Sequence, residues 1–265
     1  MGLIELDKAC FSYDGKTDIF TDLSCTFSTE NIFCILGRNG IGKSTLLNGI
    51  MNLLPLRSGR VVLDGRDLKS YRPDELARKI SYIPQTYHLV FPFKVVDMIL
   101  MGRTPHLNSL NRPTQEDYDK VMAAVEELGL EPYLERSCTQ LSGGQLQMVM
   151  LARAIAQEAE FIVLDEPTSH LDYGKQMETL KMLYRMHERG TGVLFTSHNP
   201  DHAFSLCDKV AIMNHGTFVS VGSPEEVITP EALSEIYGTD IQIVSYGEDG
   251  RGKVCAPMRT DIRTW

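Results

Sequence analysis

The chain has 265 residues, 43% apolar and 23% charged, ordinary globular usage that excludes a disordered, collagenous or coiled-coil chain as the overall class. Twenty-six basic against 35 acidic residues leave a net charge of −9, which argues against a general nucleic-acid binder, since neutralising phosphates needs a basic face. No apolar run approaches the roughly 18 residues that cross a bilayer, and MGLIELDKACFSYDG carries early acids and no signal-type apolar segment, so a cytosolic chain is expected.

Taken in chain order, LIELDKACFSY and DIFTDLSCTF alternate apolar and polar residues. They predict antiparallel strands around a turn at Asp14-Gly15. Residues 32–36 are a short apolar run that ends at Gly37, and a helix is expected from about Gly42. Strand, glycine loop and helix together begin an α/β unit. Residues 60–63 and 80–83 predict two further strands, and residues 87–158 read as mainly helical. Within that stretch Thr114 and Asp117 form a capping box after Pro113. Tyr118, Val121, Met122, Val125 and Leu128 fall on one helix face, which Gly129 stops.

The α/β pattern returns at residues 161–164 and 192–196, continuous apolar runs that suit parallel strands covered on both faces. Residues 210–213 and 217–221 predict a hairpin around His215-Gly216. Two last strands are expected at 241–244 and 254–256, joined by the turn-rich stretch 247–252. The six cysteines contain no CxxC pair and are read as free thiols.

Three segments carry chemistry. Gly37-Arg38-Asn39-Gly40-Ile41-Gly42-Lys43-Ser44-Thr45 fits the phosphate-loop pattern GxxxxGK[ST], in its required place between a strand and a helix. The glycines let backbone N–H groups approach a phosphate, and the helix N-terminus adds the positive end of its dipole. Lys43 would bridge the β- and γ-phosphates of a nucleotide, and the Ser44 hydroxyl would ligate Mg²⁺. The run FIVLDE places Asp165 and Glu166 at the carboxyl end of a buried strand, where ligands bind in open α/β sheets. Asp165 is then placed to hold Mg²⁺ and Glu166 to polarise an attacking water. Leu141-Ser142-Gly143-Gly144-Gln145 precedes a helical run and makes a second anion-binding helix start.

Phosphate loop, LSGGQ and LDEP in this order resemble an ABC-type ATPase domain, over about residues 3–236. The resemblance implies an α/β fold with a RecA-like parallel core, an N-terminal antiparallel β subdomain and an inserted helical subdomain at about 87–158. Residues 1–236 would form the ATPase domain and 237–265 a small C-terminal β extension. It implies ATP and Mg²⁺ as ligands, with Gly37, Asn39, Gly40, Gly42, Lys43, Ser44 and Thr45 at the nucleotide. Tyr13 matches the aromatic that stacks on adenine. Gln85 in SYIPQ matches the strand-end glutamine, a Mg²⁺ ligand and catalytic group. Asp172 in SHLD matches the D-loop aspartate, and His198 in VLFTSH the switch histidine. His170 is given no catalytic role. His88, His106, His187, His202 and His215 match no motif and are read as surface or packing residues. The signature helix departs from the family pattern: Leu146 and Met148 stand where arginines are common.

One copy of each motif implies a head-to-tail dimer of two chains, with Ser142, Gly143, Gly144 and Gln145 acting across the interface on the partner copy's ATP. One nucleotide domain without a span implies separate multi-span permease subunits, a substrate-binding protein reached through them, and a peripheral place on the cytoplasmic face of the membrane. The texture of SYIPQ…FPFKVVDMILMGRTPHL is similar to ATPases of importers for iron–siderophore, haem, cobalamin and related metal chelates or oxyanions. The permease is expected to dock on residues 86–106, with Met101, Arg103 and His106 as the rim of its groove. The alternative is a soluble ABC ATPase of iron–sulfur cluster assembly, whose signature usually carries Glu where this chain has Gln145. A non-enzymatic scaffold would be expected to lack Lys43, Glu166 or His198, and all three are present.

Overall fold

The computed structural model describes residues 1–87, 89–107, 112–247, 250 and 252–258. The chain opens with β1 (Leu3–Ser12) antiparallel to β2 (Asp18–Ser28). In β1 the inward residues are Ile4 and Leu6, then Ala9 and Phe11. A register shift after Leu6, with Lys8 at φ 49°, moves the buried set by one position. A bulge of this kind changes the parity of a period-two pattern without losing the core face. β3 (Ile32–Leu36) and α1 (Lys43–Ile50) follow, then β4 (Ser58–Leu63) and β5 (Arg66–Asp67). β4 starts two residues before the predicted strand because Gly59, at φ 79°, lets it press against β1. A Cβ there would meet the Lys8 carbonyl oxygen at 2.2 Å.

Next come α2 (Pro73–Lys79), β6 (Ile80–Ile83), α3 (Val95–Leu100), α4 (Gln115–Leu128) and α5 (Gly143–Gln157). The remainder is β7 (Phe161–Leu164), α6 (Tyr173–Glu188), β8 (Gly192–Ser197), α7 (Pro200–Leu206), β9 (Lys209–Asn214), β10 (Thr217–Gly222), α8 (Pro224–Val227), α9 (Pro230–Tyr237), β11 (Ile241–Tyr246) and β12 (Gly252–Pro257). One sheet runs β2-β1-β4-β5. A second runs β10-β9-β3-β8-β7-β6, parallel except for β10 at its edge, and β11 pairs with β12.

The parallel sheet is covered on both faces, as its continuous apolar runs predict. Cys34, Leu36, Ile162, Leu164 and Phe195 pack with α3–α9, whereas Phe33, Ile35, Phe161, Val163 and Leu194 pack with α1 and the antiparallel sheet. Neighbouring strands β3, β8, β7 and β6 point the same way, so their carboxyl ends bring Gly37, His198, Asp165 and Gln85 to one edge of the molecule.

The region 87–158 is less uniformly helical than expected: residues 89–94 and 129–142 are largely loop and short 3₁₀ turns around α3–α5. The Thr114–Asp117 capping box is present, and Gly129 at φ 62° ends α4. The buried face of α4 is Asp117, Val121, Ala124 and Val125, while Tyr118 and Met122 stand at its solvent edge. The expected stripe was therefore rotated, because Asp117 takes an inward place as partner of Arg103. None of the six cysteines forms a disulfide.

Candidate nucleotide site

The phosphate loop joins β3 to α1. Gly42 caps the helix at φ 108°, where a Cβ would meet the Ile19 side chain at 2.7 Å, and a Cβ on Gly37 would meet the Met213 carbonyl oxygen at 2.7 Å. Glycine is needed at both positions for the loop to wrap. Lys43 is 4% exposed, and its ammonium donates to the Gly37 and Arg38 carbonyl oxygens at 2.8 and 3.0 Å. Its third contact is an ion pair with Glu166 Oε1 at 3.0 Å.

Glu166 is the junction of the site. It follows β7 with φ 46°, an uncommon conformation for a residue with a side chain, of the sort that collects at functional sites. Its other oxygen lies 3.0 Å from His198 Nδ1 and accepts from the Gln85 amide at 3.3 Å. Thr196 on β8 sets both acids: its hydroxyl accepts from the Glu166 N–H at 2.9 Å and donates to Asp165 Oδ1 at 2.7 Å. Asp165 is 4% exposed, and beside it the Tyr82 phenol is pushed up to about 12, by burial first and by the Asp165 charge second.

Tyr13, Asn39, Gly40, Gly42, Lys43, Ser44, Thr45, Gln85 and Glu166 line one cleft of about 360 Å³. Tyr13 is 68% exposed, stands edge-on to Phe11 at 4.8 Å, and its hydroxyl lies 3.1 Å from Thr45 Oγ1. The buried lysine, the N–H groups at the start of α1 and the glycine-formed cradle fit a polyphosphate. Ser44 hydroxyl, Gln85 amide oxygen and Asp165 carboxylate are the hard oxygen donors that Mg²⁺ prefers. Gln85 turns its nitrogen to Glu166, so its oxygen faces away from that carboxylate.

Ser142–Gln145 are not among the residues that line this cleft. Ser142 caps α5 by accepting from the Gln145 N–H at 3.3 Å, while Gln145 Oε1 accepts from the Ser142 N–H at 2.9 Å. Gly144 lies beside Leu171 and Lys175, next to Asp172, which caps α6 by accepting from the Lys175 N–H at 2.9 Å.

Sequence reasoning missed Thr196, which reads only as part of a buried strand. His202, read as a surface or packing residue, is a packing one: 5% exposed, its Nδ1 lies 3.2 Å from Thr168 Oγ1 and 3.3 Å from Ser197 Oγ. Burial pushes this imidazole below its ordinary range, and a neutral ring suits its place between hydroxyls. Arg103 corrects the expected groove rim. It is 5% exposed and donates to Asp117 at 3.0 Å, the Ala156 carbonyl oxygen at 2.8 Å and Glu158 at 2.8 Å. His106 is half-buried with Nε2 2.7 Å from the Gln157 carbonyl oxygen, and His88 lies outside the described residues. Leu146 and Met148, where arginines are common in the family, pack against the core between helices and sheet.

A doubly covered parallel sheet with a phosphate loop, strand-end acids and His198 against Glu166 at one edge has the architecture of a P-loop ATPase. Residues 20–169 match the ABC transporter family. The chain is similar to the iron(3+)-hydroxamate import ATP-binding protein of Bacillus subtilis, at 33% identity over 87% of this chain and 86% of that one. It is also similar to the hemin import ATP-binding protein of Pseudomonas entomophila, at 34% identity over 89% and 93%. Among solved structures, a metal-chelate type ABC transporter in an inward-facing conformation aligns with a TM-score of 0.84, 28% identity and 97% coverage of both chains. The chain belongs to the ABC transporter family and is an ATP-binding ATPase subunit of it.

Proposed function

We propose that this chain hydrolyses Mg·ATP to power a membrane importer of a metal chelate, a ferric siderophore or haem complex. The observation that carries the chemistry is the Glu166 carboxylate, held at once by Lys43, Gln85 and His198. Glu166 orients a water and takes its proton, Lys43 neutralises the β/γ-phosphates, and His198 stabilises charge on the γ-phosphate. Tyr13 stacks on adenine. Asn39, Gly40, Gly42 and Thr45 complete the phosphate cradle. Ser44, Gln85 and Asp165 would hold Mg²⁺, which would supply charge neutralisation at the phosphates when bound. Ser142, Gly143, Gly144 and Gln145 face the cleft of a second, head-to-tail copy, with Asp172 beside them. This reading is supported by their place outside the chain's own cleft.

ABC importer ATPases work with membrane permeases. Among the described residues here no helix is long and apolar enough to cross a membrane. The chain is then peripheral on the cytoplasmic face, its permease on residues 86–106 and a binding protein reached through the permease. Residues 1–236 form the ATPase domain, with 87–158 inserted, and 237–265 an extension. The chelate class rests on the named relatives and on the metal-chelate neighbour. The test is purification of the tagged full chain from solubilised native membranes. A multi-span partner should accompany it, and ATP turnover of that complex should rise with a chelate-loaded binding protein. A chain recovered with no membrane protein would overturn the importer reading.

A further inference from the structure

We propose that Tyr237 is a positioning residue for the switch: it holds the backbone of His198 so that the imidazole faces Glu166. This rests on the catalytic reading of His198 given above. The His198 side chain is 46% exposed, and its Nδ1 lies 3.0 Å from Glu166 Oε2. A ring this open is not fixed by packing, so its direction is set by the backbone that carries it. The peptide that leaves it is held on both sides: the Asn199 N–H donates to Ser197 Oγ at 3.0 Å, and the Tyr237 hydroxyl donates to the His198 carbonyl oxygen at 2.6 Å. Fixing that oxygen fixes the planar peptide between residues 198 and 199, and with it the torsion that aims the His198 Cα–Cβ bond.

The neighbouring ties hold the flanks of the loop. The Gly37 N–H donates to the Ser197 carbonyl oxygen at 3.2 Å, and Asn199 caps α7 by accepting from the Asp201 N–H at 3.0 Å. Tyr237 supplies the bond at the histidine itself, and it comes from a rigid support. It is the last residue of α9, whose Leu233 and Ile236 are 0% and 2% exposed, and Gly238 at φ 69° ends the helix there. β12 braces the first turn of α7, which follows that loop, through the Cys255 N–H, which donates to Asp201 Oδ1 at 2.8 Å. Burial, with Cys34, Cys255, Glu166 and Asp201 nearby, raises the phenol above its ordinary range, so it stays a donor at neutral pH.

The experiment compares single-turnover ATP hydrolysis by the full-length chain as wild type, Tyr237→Phe, His198→Ala and the double variant. Tyr237→Phe keeps the ring and removes one oxygen. Its turnover should fall roughly 3- to 10-fold, the scale of one hydrogen bond, with KM for ATP unchanged. In the His198→Ala background the same change should cost less than about 1.5-fold, because Tyr237 acts through the imidazole. Wild-type turnover in Tyr237→Phe overturns the proposal. So does a rise in KM with turnover unchanged, or a loss of the same factor in both backgrounds, which marks a general structural role. Wild-type turnover in His198→Ala overturns the reading of the histidine itself. That outcome is distinct from a Tyr237→Phe failure beside an impaired His198→Ala.

Discussion

The two glycine-bearing segments of this chain sit in opposite circumstances. The phosphate loop is built into the fold: Lys43 is 4% exposed, and its ammonium meets two loop carbonyls and the Glu166 carboxylate. The Ser142–Gln145 segment faces outward, and its hydrogen bonds close on themselves as a helix cap. Both begin a helix, and both therefore offer N–H groups and a positive dipole end to an anion. One lines a cleft with Tyr13, Gln85 and Glu166, and the other lies outside that cleft. In the function proposed above, the parallel core supplies the floor of the nucleotide site and the Ser142–Gln145 helix start serves a second copy. This asymmetry supports assembly of a complete site from two copies.

The sharpest way to break the comparison is at Glu166. Glu166→Gln keeps the shape of the junction and removes the base, so ATP turnover should fall by ~10²–10⁴-fold. ATP binding should survive, and the variant should collect as an ATP-bound dimer on size-exclusion chromatography. Turnover near wild type would remove the chemistry from the core side altogether.

The insertion side has its own anchor. Arg103 joins Asp117 on α4 to the Ala156 carbonyl oxygen and Glu158 at the end of α5, the helix that Ser142 begins. The Thr114 N–H and, after it, the Arg103 guanidinium hold the Asp117 carboxyl below its ordinary range. Arg103→Met leaves that buried acid without its cation, and breaking such a pair costs on the order of 3 kcal/mol. Urea unfolding should show that loss, while ATP affinity at the phosphate loop stays unchanged. A parallel drop in affinity would mean that floor and insertion are coupled more tightly than their separate contacts imply. Lys43→Ala reverses the pattern: removing charged hydrogen bonds worth about 1.5–3 kcal/mol should weaken ATP binding roughly 10- to 100-fold. Equilibrium titration measures it, and unchanged affinity would reduce the loop to a structural turn.

The two regions also differ in how far they could be read in one dimension. The core side was legible because its residues lie in short contiguous motifs: loop, strand and acids are each set by neighbours within a few positions. Thr196 was not, since a hydroxyl on an apolar strand signals nothing until β7 lies beside β8 and sets it against both acids. Arg103 read as a rim residue because Met and Arg suit adaptable interfaces. Its acids come from 14 and 55 residues away. The short helices α7, α8 and α9 went unpredicted although each carries a signal: Asn199-Pro200, Ser223-Pro224 and Thr229-Pro230 place a capping residue before a proline at the first helical position. At seven, four and eight residues they are too short for an apolar stripe to announce them.

The smallest effect on the chain itself, and the finest test of the insertion side, is at Phe91. Val90 and Phe91 are 80% and 62% exposed, and Phe93 is 37% exposed with its ring 5.9 Å from that of Phe91. The backbone beneath them is pinned: the Phe93 carbonyl oxygen accepts from the Cys138 N–H at 2.8 Å, and the Val95 N–H donates to the Arg136 carbonyl oxygen at 3.0 Å. A fixed backbone that turns aromatic rings to solvent suits the docking surface proposed for the permease on residues 86–106. Phe91→Ser removes mostly exposed surface, so unfolding free energy should move by no more than about 0.5 kcal/mol. ATP binding should be untouched. An aromatic anchor at the centre of an interface contributes about 2 kcal/mol or more, so recovery of the permease complex should need roughly thirty-fold higher concentration. Normal complex formation with stability and ATP binding intact would place the docking surface elsewhere on the insertion, and the exposed aromatics would then need another partner.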